Sequence, residues 1–257
     1  DGFADVLVSA WPSNGTGQAF VYHGSSAGLI ATASPTLNSP STGMFGQGGL
    51  AAVGDLNGDG RGDAAIGDYN STATGQMFVY YGGGAGLPSA PSVTVGTPGG
   101  CCMGSSLRAG ARNADVNGDG YMDLVMGNEL YPASGADRQG RAYVFLGGPA
   151  GISAAPETDL PNPDGTDANF GVNVVAGDID GDGFSDLIVG SYLANRSGRV
   201  HVFRGSGTGV LTAGGWTVNG PDGAGSTFGG AIADARDRWR SLWRTPARNP
   251  PPDWRLL

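Results

Sequence analysis

The chain has 257 residues and a formal net charge of −9, and it contains 49 glycines and 16 prolines. Glycine at this level without a three-residue period excludes collagen and predicts many tight turns. No apolar run approaches the ~18 residues that a membrane-spanning helix needs. The acidic balance argues against a nucleic-acid partner and suits a chain that collects cations.

The first segment reads as the second half of a repeating unit. Residues 1–5 have the form of the end of an acidic loop, and the apolar run 6–8 follows them. Residues 19–22, Ala-Phe-Val-Tyr, then match a strand segment that recurs in each later unit. We therefore expect residues 1–44 to form a partial blade.

Three nine-residue acidic loops follow, and they begin at Asp55, Asp115 and Asp178. Counted from its first residue, each loop has Asp at positions 1, 5 and 9, Asn or Asp at position 3, and Gly at positions 4 and 6. The two glycines permit a tight curl. Chance does not place one pattern three times at nearly equal spacing, so the chain is built from repeats of roughly 60 residues.

The sequence around each loop repeats as well. Phe-Gly pairs precede the first and third loops, and Met103-Gly104 is a degenerate copy before the second. Behind the loops come apolar runs at 64–67, 124–127 and 187–190, then alternating segments at 77–80, 142–145 and 200–203. Each unit therefore reads as four short strands. In the second unit they are expected near residues 50–53, 64–67, 76–81 and 92–95.

The predicted fold class is all-β. Nothing between the predicted strands has a helical period, which excludes βαβ units. Four-stranded units repeated in series form a propeller, which leaves few exposed sheet edges. We expect a partial β-propeller of about four antiparallel, four-stranded blades, each with its acidic loop at the tip of a hairpin.

The repeats also set the expected blade boundaries. These are residues 1–44, 45–102, 103–169 and 170–227, with 228–233 starting a further copy. Residues 234–257 break the pattern, with six arginines, three tryptophans and no glycine. One hypothesis is that these residues are a frameshift product. A possible coding sequence for residues 237–243 encodes a repeat loop when it is read one base out of frame. The alternative is a basic, aromatic anchor for an anionic partner.

The loop composition predicts a metal site. Ca²⁺ takes about six to eight oxygen ligands, and side chains at alternate loop positions can surround one ion. A donor set without His or Cys favours Ca²⁺ over zinc or copper. An EF-hand is excluded because it needs Glu at position 12, where this chain has Ile66, Met126 and Val189. The alternative is an acidic turn that caps its own backbone and binds no metal.

With these motifs the chain resembles FG-GAP repeats, the blades of the N-terminal β-propeller of integrin α subunits. The resemblance covers residues 1–233 and rests on the Phe-Gly pairs, the acidic loops and the apolar runs that end in Gly. It implies about three Ca²⁺ sites on one face, with partners bound on the opposite face. The implied ligands, in which the seventh loop residue acts through its carbonyl, are Asp55, Asn57, Asp59, Arg61 and Asp63; Asp115, Asn117, Asp119, Tyr121 and Asp123; and Asp178, Asp180, Asp182, Phe184 and Asp186.

The expected function is that of a calcium-binding extracellular or cell-surface module, a binding or adhesion scaffold without catalytic activity. Its expected partner is a protein or a glycan. Two alternatives remain, a lectin-like glycan-binding propeller and an accessory domain of a secreted hydrolase. The lysine-free, glycine-rich composition favours a bacterial secreted or surface protein. The two histidines, His23 and His201, are expected to be surface or packing residues.

Overall fold

Antiparallel sheets are the main regular structure in the described part of the chain. This computed structural model describes residues 2–11, 16–41, 43–69, 75–96, 114–131, 138–165 and 167–233. Within these ranges the only helix is the 3-10 turn Ala194–Arg196, and none is long and apolar enough to cross a membrane. The strands are β1 (Val6–Ala10), β2 (Gln18–Tyr22), β3 (Gly24–Ser25), β4 (Gly28–Leu29), β5 (Thr36–Asn38), β6 (Met44–Gly54), β7 (Asp63–Tyr69), β8 (Gln76–Tyr80), β9 (Val93–Gly96), β10 (Leu124–Asn128), β11 (Arg141–Phe145), β12 (Thr158–Pro161), β13 (Phe170–Gly177), β14 (Asp186–Ser191), β15 (Arg199–Phe203) and β16 (Trp216–Asn219).

Two of the sheets are four-stranded blades. In β6-β7-β8-β9 and in β13-β14-β15-β16, each strand pairs antiparallel with the next one along the chain. The sheets β1-β2-β5 and β10-β11-β12 have three strands within the described ranges, and β3 and β4 form a small hairpin. The predicted all-β fold, a partial β-propeller of antiparallel blades, is confirmed. Met103-Gly104 and residues 234–257 lie outside the described residues.

The first strand of the second blade is longer than the sequence predicts. It begins at Met44 rather than near Leu50, and its register shifts between Phe45 and Leu50. Glycine is depleted in strands, so the glycine-rich stretch does not look like one. Gly46 instead bends the strand at a φ of 79°, and Ser9 of the preceding blade donates a hydrogen bond to its carbonyl at 2.9 Å. The bulge thus brings two blades into close contact.

Apolar side chains cover both faces of the inner blades. Along β8, Met77 and Val79 join a core cluster shared with β10 and β11. Phe78 and Tyr80, which alternate with them, join a second cluster with Ala19 and other residues of the preceding blade. Successive strand side chains point to opposite faces, so each blade buries one apolar set against each neighbour. This is why the strands read as nearly continuous apolar runs.

Glycines at equivalent places let neighbouring blades approach. A Cβ on Gly127 at the end of the β10 apolar run would collide with the carbonyl of Gly171 in β13. A Cβ on Gly171, which has a φ of 87°, would collide with the Arg141 carbonyl. Phe170, the other half of the Phe-Gly pair, is fully buried between the blades. The repeated Phe-Gly and apolar-run glycines are therefore packing residues of the blade interface.

Candidate metal centre

Each acidic loop folds around the carboxylate of its first residue. Asp55 Oδ1 accepts hydrogen bonds from the backbone N–H groups of Gly58 at 2.7 Å and Asp59 at 3.1 Å, and Oδ2 accepts from Gly60 at 2.8 Å. Asp115 repeats all three contacts, and Asp178 repeats those to the two glycines. An acidic turn that caps its own backbone and binds no metal would also make these contacts. Because a carboxylate offers about four lone-pair sites, they leave room for a further ligand contact.

The two loop glycines adopt the backbone conformation that the sequence predicts. Gly58 and Gly60 have φ values of 74° and 83°, and both later loops also have positive φ at these positions. L-residues with a side chain avoid this region. The tight curl is therefore a local property of the sequence.

The side chains at positions 3 and 5 continue the curl. Asn57 Oδ1 accepts from the Asp59 N–H at 3.1 Å, and Asp59 Oδ1 accepts from the Arg61 N–H at 2.9 Å. The second and third loops repeat both contacts. Side-chain oxygens at alternate positions thus line a compact turn.

The Asp at position 9 is the buried member of each loop. Asp63 is 2% exposed, and its two oxygens accept from the N–H groups of Leu56 and Gly82, both at 2.8 Å. Asp123 and Asp186 make the corresponding bonds to their own loops and to Gly147 and Gly205. One carboxylate therefore ties the hairpin loop to the turn that follows the third strand of the blade.

Burial and neighbouring charge both raise the pKa of the position-9 carboxylates of the first two loops. Burial raises the pKa of Asp63 to about 6, against the opposing effect of its backbone hydrogen bonds, and the carboxylates of Asp55 and Asp59 raise it further. The same causes raise the pKa of Asp123 to about 7. Both loops thus hold a buried carboxylate beside two others, and a bound cation would relieve that repulsion.

The third loop brings three carboxylates together. Oxygens of Asp178, Asp180 and Asp186 all lie within 4.8 Å of one another. Ligands on opposite sides of one Ca²⁺ are about 5 Å apart, given Ca–O distances of about 2.3–2.6 Å, so this group fits one hard divalent cation. Asp182, at position 5, is not part of it. In the other two loops, Asn57 and Asn117 offer an amide oxygen at the place of Asp180. The ligand roles, including those of the position-7 carbonyls, remain predictions.

Arg204 lies at the third loop and was not predicted from the sequence. Its Nε donates to Asp180 Oδ2 at 3.0 Å, and its Nη2 contacts the same oxygen. This hydrogen bond lowers the pKa of Asp180. Arg204 comes directly before the glycine whose N–H donates to the position-9 Asp of the third loop. In the two preceding blades, Tyr81 and Leu146 occupy the corresponding position. A comparison of the three repeats could have pointed to Arg204, because only the third repeat has both Asp at loop position 3 and Arg at this place.

A second charged cluster also went unpredicted. The side chain of Asp164, which is 1% exposed, accepts from Arg199 at 2.7 Å, and its other oxygen lies 2.7 Å from His201 Nε2. His201 is 5% exposed, and its Nδ1 lies 3.1 Å from the Thr217 hydroxyl. His201 is therefore a packing residue, as expected, while the partly buried His23 lies 3.2 Å from Asp5. No repeated motif marks Asp164, so the sequence offered no signal for it.

Family models match the repeats themselves. The FG-GAP repeat model matches residues 110–145 and 170–203, and the FG-GAP-like repeat model matches residues 55–126. The chain carries FG-GAP repeats. Each of the three acidic loops lies within or overlaps a matched segment, so the loops are part of the FG-GAP pattern.

The FG-GAP repeats are similar to segments of much longer proteins. The chain is 34% identical over 160 residues to mouse integrin alpha-IIb, which covers 56% of the chain and 15% of that protein. It is 31% identical over 165 residues to mouse integrin alpha-8, covering 59% of the chain and 15% of that protein. It is also 31% identical over 166 residues to rat phosphatidylinositol-glycan-specific phospholipase D, covering 59% and 19%. The chain thus spans less than a fifth of the length of these relatives.

Proposed function

We propose that this chain is a calcium-stabilised propeller module that acts outside the cell as a non-catalytic binding or adhesion scaffold. The supporting observation is that three loops use one hydrogen-bond pattern to gather acidic side chains, and the third holds three carboxylates within 4.8 Å. FG-GAP repeats similar to those of integrins support a binding scaffold in general. The proposed blade boundaries are those expected from the repeats, with residues 234–257 outside the propeller.

Each loop is proposed to hold one Ca²⁺. Its ligands are the side chains at positions 1, 3, 5 and 9 and the carbonyl at position 7, which in the first loop are Asp55, Asn57, Asp59, Asp63 and Arg61. An ion that binds the folded loop and not the unfolded chain adds its binding free energy to stability. Extracellular calcium reaches the concentrations at which weak loop sites fill. A propeller of this kind would therefore be folded and rigid outside the cell.

The proposal of a non-catalytic scaffold follows from how the clustered carboxylates are used. In the loops they accept hydrogen bonds from their own backbone, and Asp164 is paired with Arg199 and His201. A general acid or base must reach a substrate proton in a cleft. Asp63, Asp123 and Asp164 instead lie in the protein interior and hold backbone or side-chain groups in place.

Calcium binding is tested on the full chain. Unfolding temperature is measured in calcium, in magnesium and after chelation, and bound calcium is counted by equilibrium dialysis. We expect about three ions per chain and a midpoint many degrees higher in calcium, with a smaller rise in magnesium. A folded chain whose midpoint ignores chelation and which retains no calcium would refute the metal sites.

An accessory role in a hydrolase is the second candidate. The observation that favours it is the similarity to phosphatidylinositol-glycan-specific phospholipase D, a protein named for an enzymatic activity. It is tested by reading the gene on either side of the segment that encodes this chain, where the accessory role requires a hydrolase catalytic domain in the same reading frame. Phospholipase turnover by the chain itself would instead place a catalytic group in it and contradict the scaffold proposal. Binding to a glycan array would instead favour the lectin-like alternative.

A further inference from the structure

An aromatic side chain of the second and of the third loop lies against the loop before it. The ring of Tyr121, at position 7 of the second loop, lies against Gly58, at position 4 of the first loop, where an added Cβ would collide with it. The ring of Phe184, at position 7 of the third loop, lies in the same way against Gly118 of the second loop. At Gly181, position 4 of the third loop, a Cβ would meet nothing within 4 Å. The ring contact therefore links the second loop to the first and the third loop to the second.

Backbone hydrogen bonds run beside each ring. The Met122 N–H donates to the Asp55 carbonyl at 3.0 Å, and the Gly148 N–H donates to the Leu56 carbonyl at 2.9 Å. The next pair of loops repeats both bonds, from Ser185 to Asp115 at 2.8 Å and from Ser206 to Val116 at 3.0 Å. Positions 1 and 2 of a loop are thus held by the following blade, and its position 4 is covered by the following ring.

We propose that Tyr121 and Phe184 are positioning residues for the cation sites of the preceding loops, and that neighbouring sites are coupled through them. This inference rests on the proposed function. Gly58 and Gly118 have positive φ and donate to the position-1 carboxylates at 2.7 Å. A ring seated on this turn restricts it to the curled form, so less conformational entropy is lost when the ion binds.

The coupling has a definite sign and acts equally in both senses. Tyr121 offers its carbonyl to its own loop and its ring to the preceding one, so an ion in the second loop also steadies the cover over Gly58. By linkage, an ion in the first loop then strengthens binding in the second to the same degree. The third loop has no ring against Gly181 within the described residues. When the other two loops cannot bind an ion, the affinity of the third loop is therefore expected to be independent of both rings.

The test isolates one loop at a time in the full chain. Asp115→Asn with Asp178→Asn leaves only the first loop able to bind, and Asp55→Asn with Asp178→Asn leaves only the second. Calcium affinity is measured by titration calorimetry after circular dichroism confirms folding. In the first background we expect Tyr121→Ala to weaken binding several-fold, Tyr121→Phe to restore it, and Phe184→Ala to leave it unchanged. In the second, we expect Phe184→Ala to weaken binding more than Tyr121→Ala, which keeps the position-7 carbonyl of its own loop.

The outcomes separate this inference from the proposed function. If both backgrounds and the unaltered chain bind no calcium, the proposed function fails. Two results would refute the positioning role while calcium binding stands. In one, the backgrounds bind calcium and neither ring variant changes the affinity of the loop it is predicted to affect. In the other, both variants change the affinities of both loops equally. Where a background does not fold, Tyr121→Ala and Tyr121→Phe are compared in the otherwise unaltered chain. The inference then requires that Tyr121→Ala weakens calcium binding at one class of site and that Tyr121→Phe does not.

Discussion

Arg204 forms an ion pair with Asp180, the one position-3 carboxylate among the three loops, and its Nε lies 3.0 Å from Oδ2. The first two loops have Asn at position 3 and Tyr81 or Leu146 at the place of Arg204. The extra negative charge of the third loop is thus matched by a positive charge from the same blade. The pair also occupies an oxygen that a cation would use.

Replacing Arg204 should therefore have opposite effects with and without calcium. In Arg204→Leu, which copies Leu146, the unpaired Asp180 repels its neighbouring carboxylates, so we expect a lower unfolding temperature after chelation. In calcium the same change should raise the affinity of the third loop a few-fold, because a competing positive charge is gone. Calorimetric titration and thermal unfolding measure the two effects. A lower calcium affinity in Arg204→Leu would contradict the competition.

The buried position-9 carboxylate should be harder to replace than the exposed one at position 5. Asp123→Asn puts an amide NH₂ against a backbone N–H of Val116 or Gly147. One unsatisfied buried group costs about 1–3 kcal/mol of unfolding free energy. Denaturant unfolding in calcium measures it, and Asp119→Asn is the matched exposed control. In calcium-free buffer the loss should be smaller, because burial and its neighbours already disfavour the charged Asp123. Equal losses for both variants would refute this role of burial.

The Asp164 cluster predicts a pH dependence of stability. Burial alone would raise the pKa of Asp164, but hydrogen bonds from His201 and Arg199 hold it below its ordinary value. Because the folded pKa is the lower one, this carboxylate stabilises the fold above about pH 4, and the contribution is lost as pH falls through the folded value. Asp164→Asn should cost about 1.5–3 kcal/mol at pH 7. Unfolding at pH 7, 4 and 2.5 should show the difference from the unaltered chain shrinking, and a constant difference would contradict the assignment.

Two adjacent tyrosines offer a matched test of a contact between blades. Tyr81 Oη accepts a hydrogen bond from the Ile152 N–H at 2.8 Å, so Tyr81→Phe leaves that donor unpaired and should cost about 1–3 kcal/mol. The hydroxyl of Tyr80 is buried and has no hydrogen-bond partner within the described residues. Tyr80→Phe should then be neutral or stabilising. Chemical denaturation compares the two, and a larger loss for Tyr80→Phe would overturn the assignment.

The sequence predicted the parts of the fold that depend on short-range pattern. The curl of residues 55–63 joins Asp55 to Gly58 and Gly60, and such contacts recur wherever the same residues recur. Strands β7 and β8 follow from apolar and alternating runs of a few residues. The start of β6 was misplaced because its glycines match no strand pattern, and the contact that Gly46 makes depends on Ser9 of another blade.

Only the tertiary structure decided which distant residues meet. Arg204 and Asp180, Tyr121 and Gly58, and Asp164 and His201 are far apart along the chain, and nothing in their local sequence pairs them. Local periodicity determines which face of a strand is apolar, since side chains alternate. It does not determine which neighbouring blade covers that face. Packing of whole sheets settles that, and with it the contacts that hold the acidic loops in place.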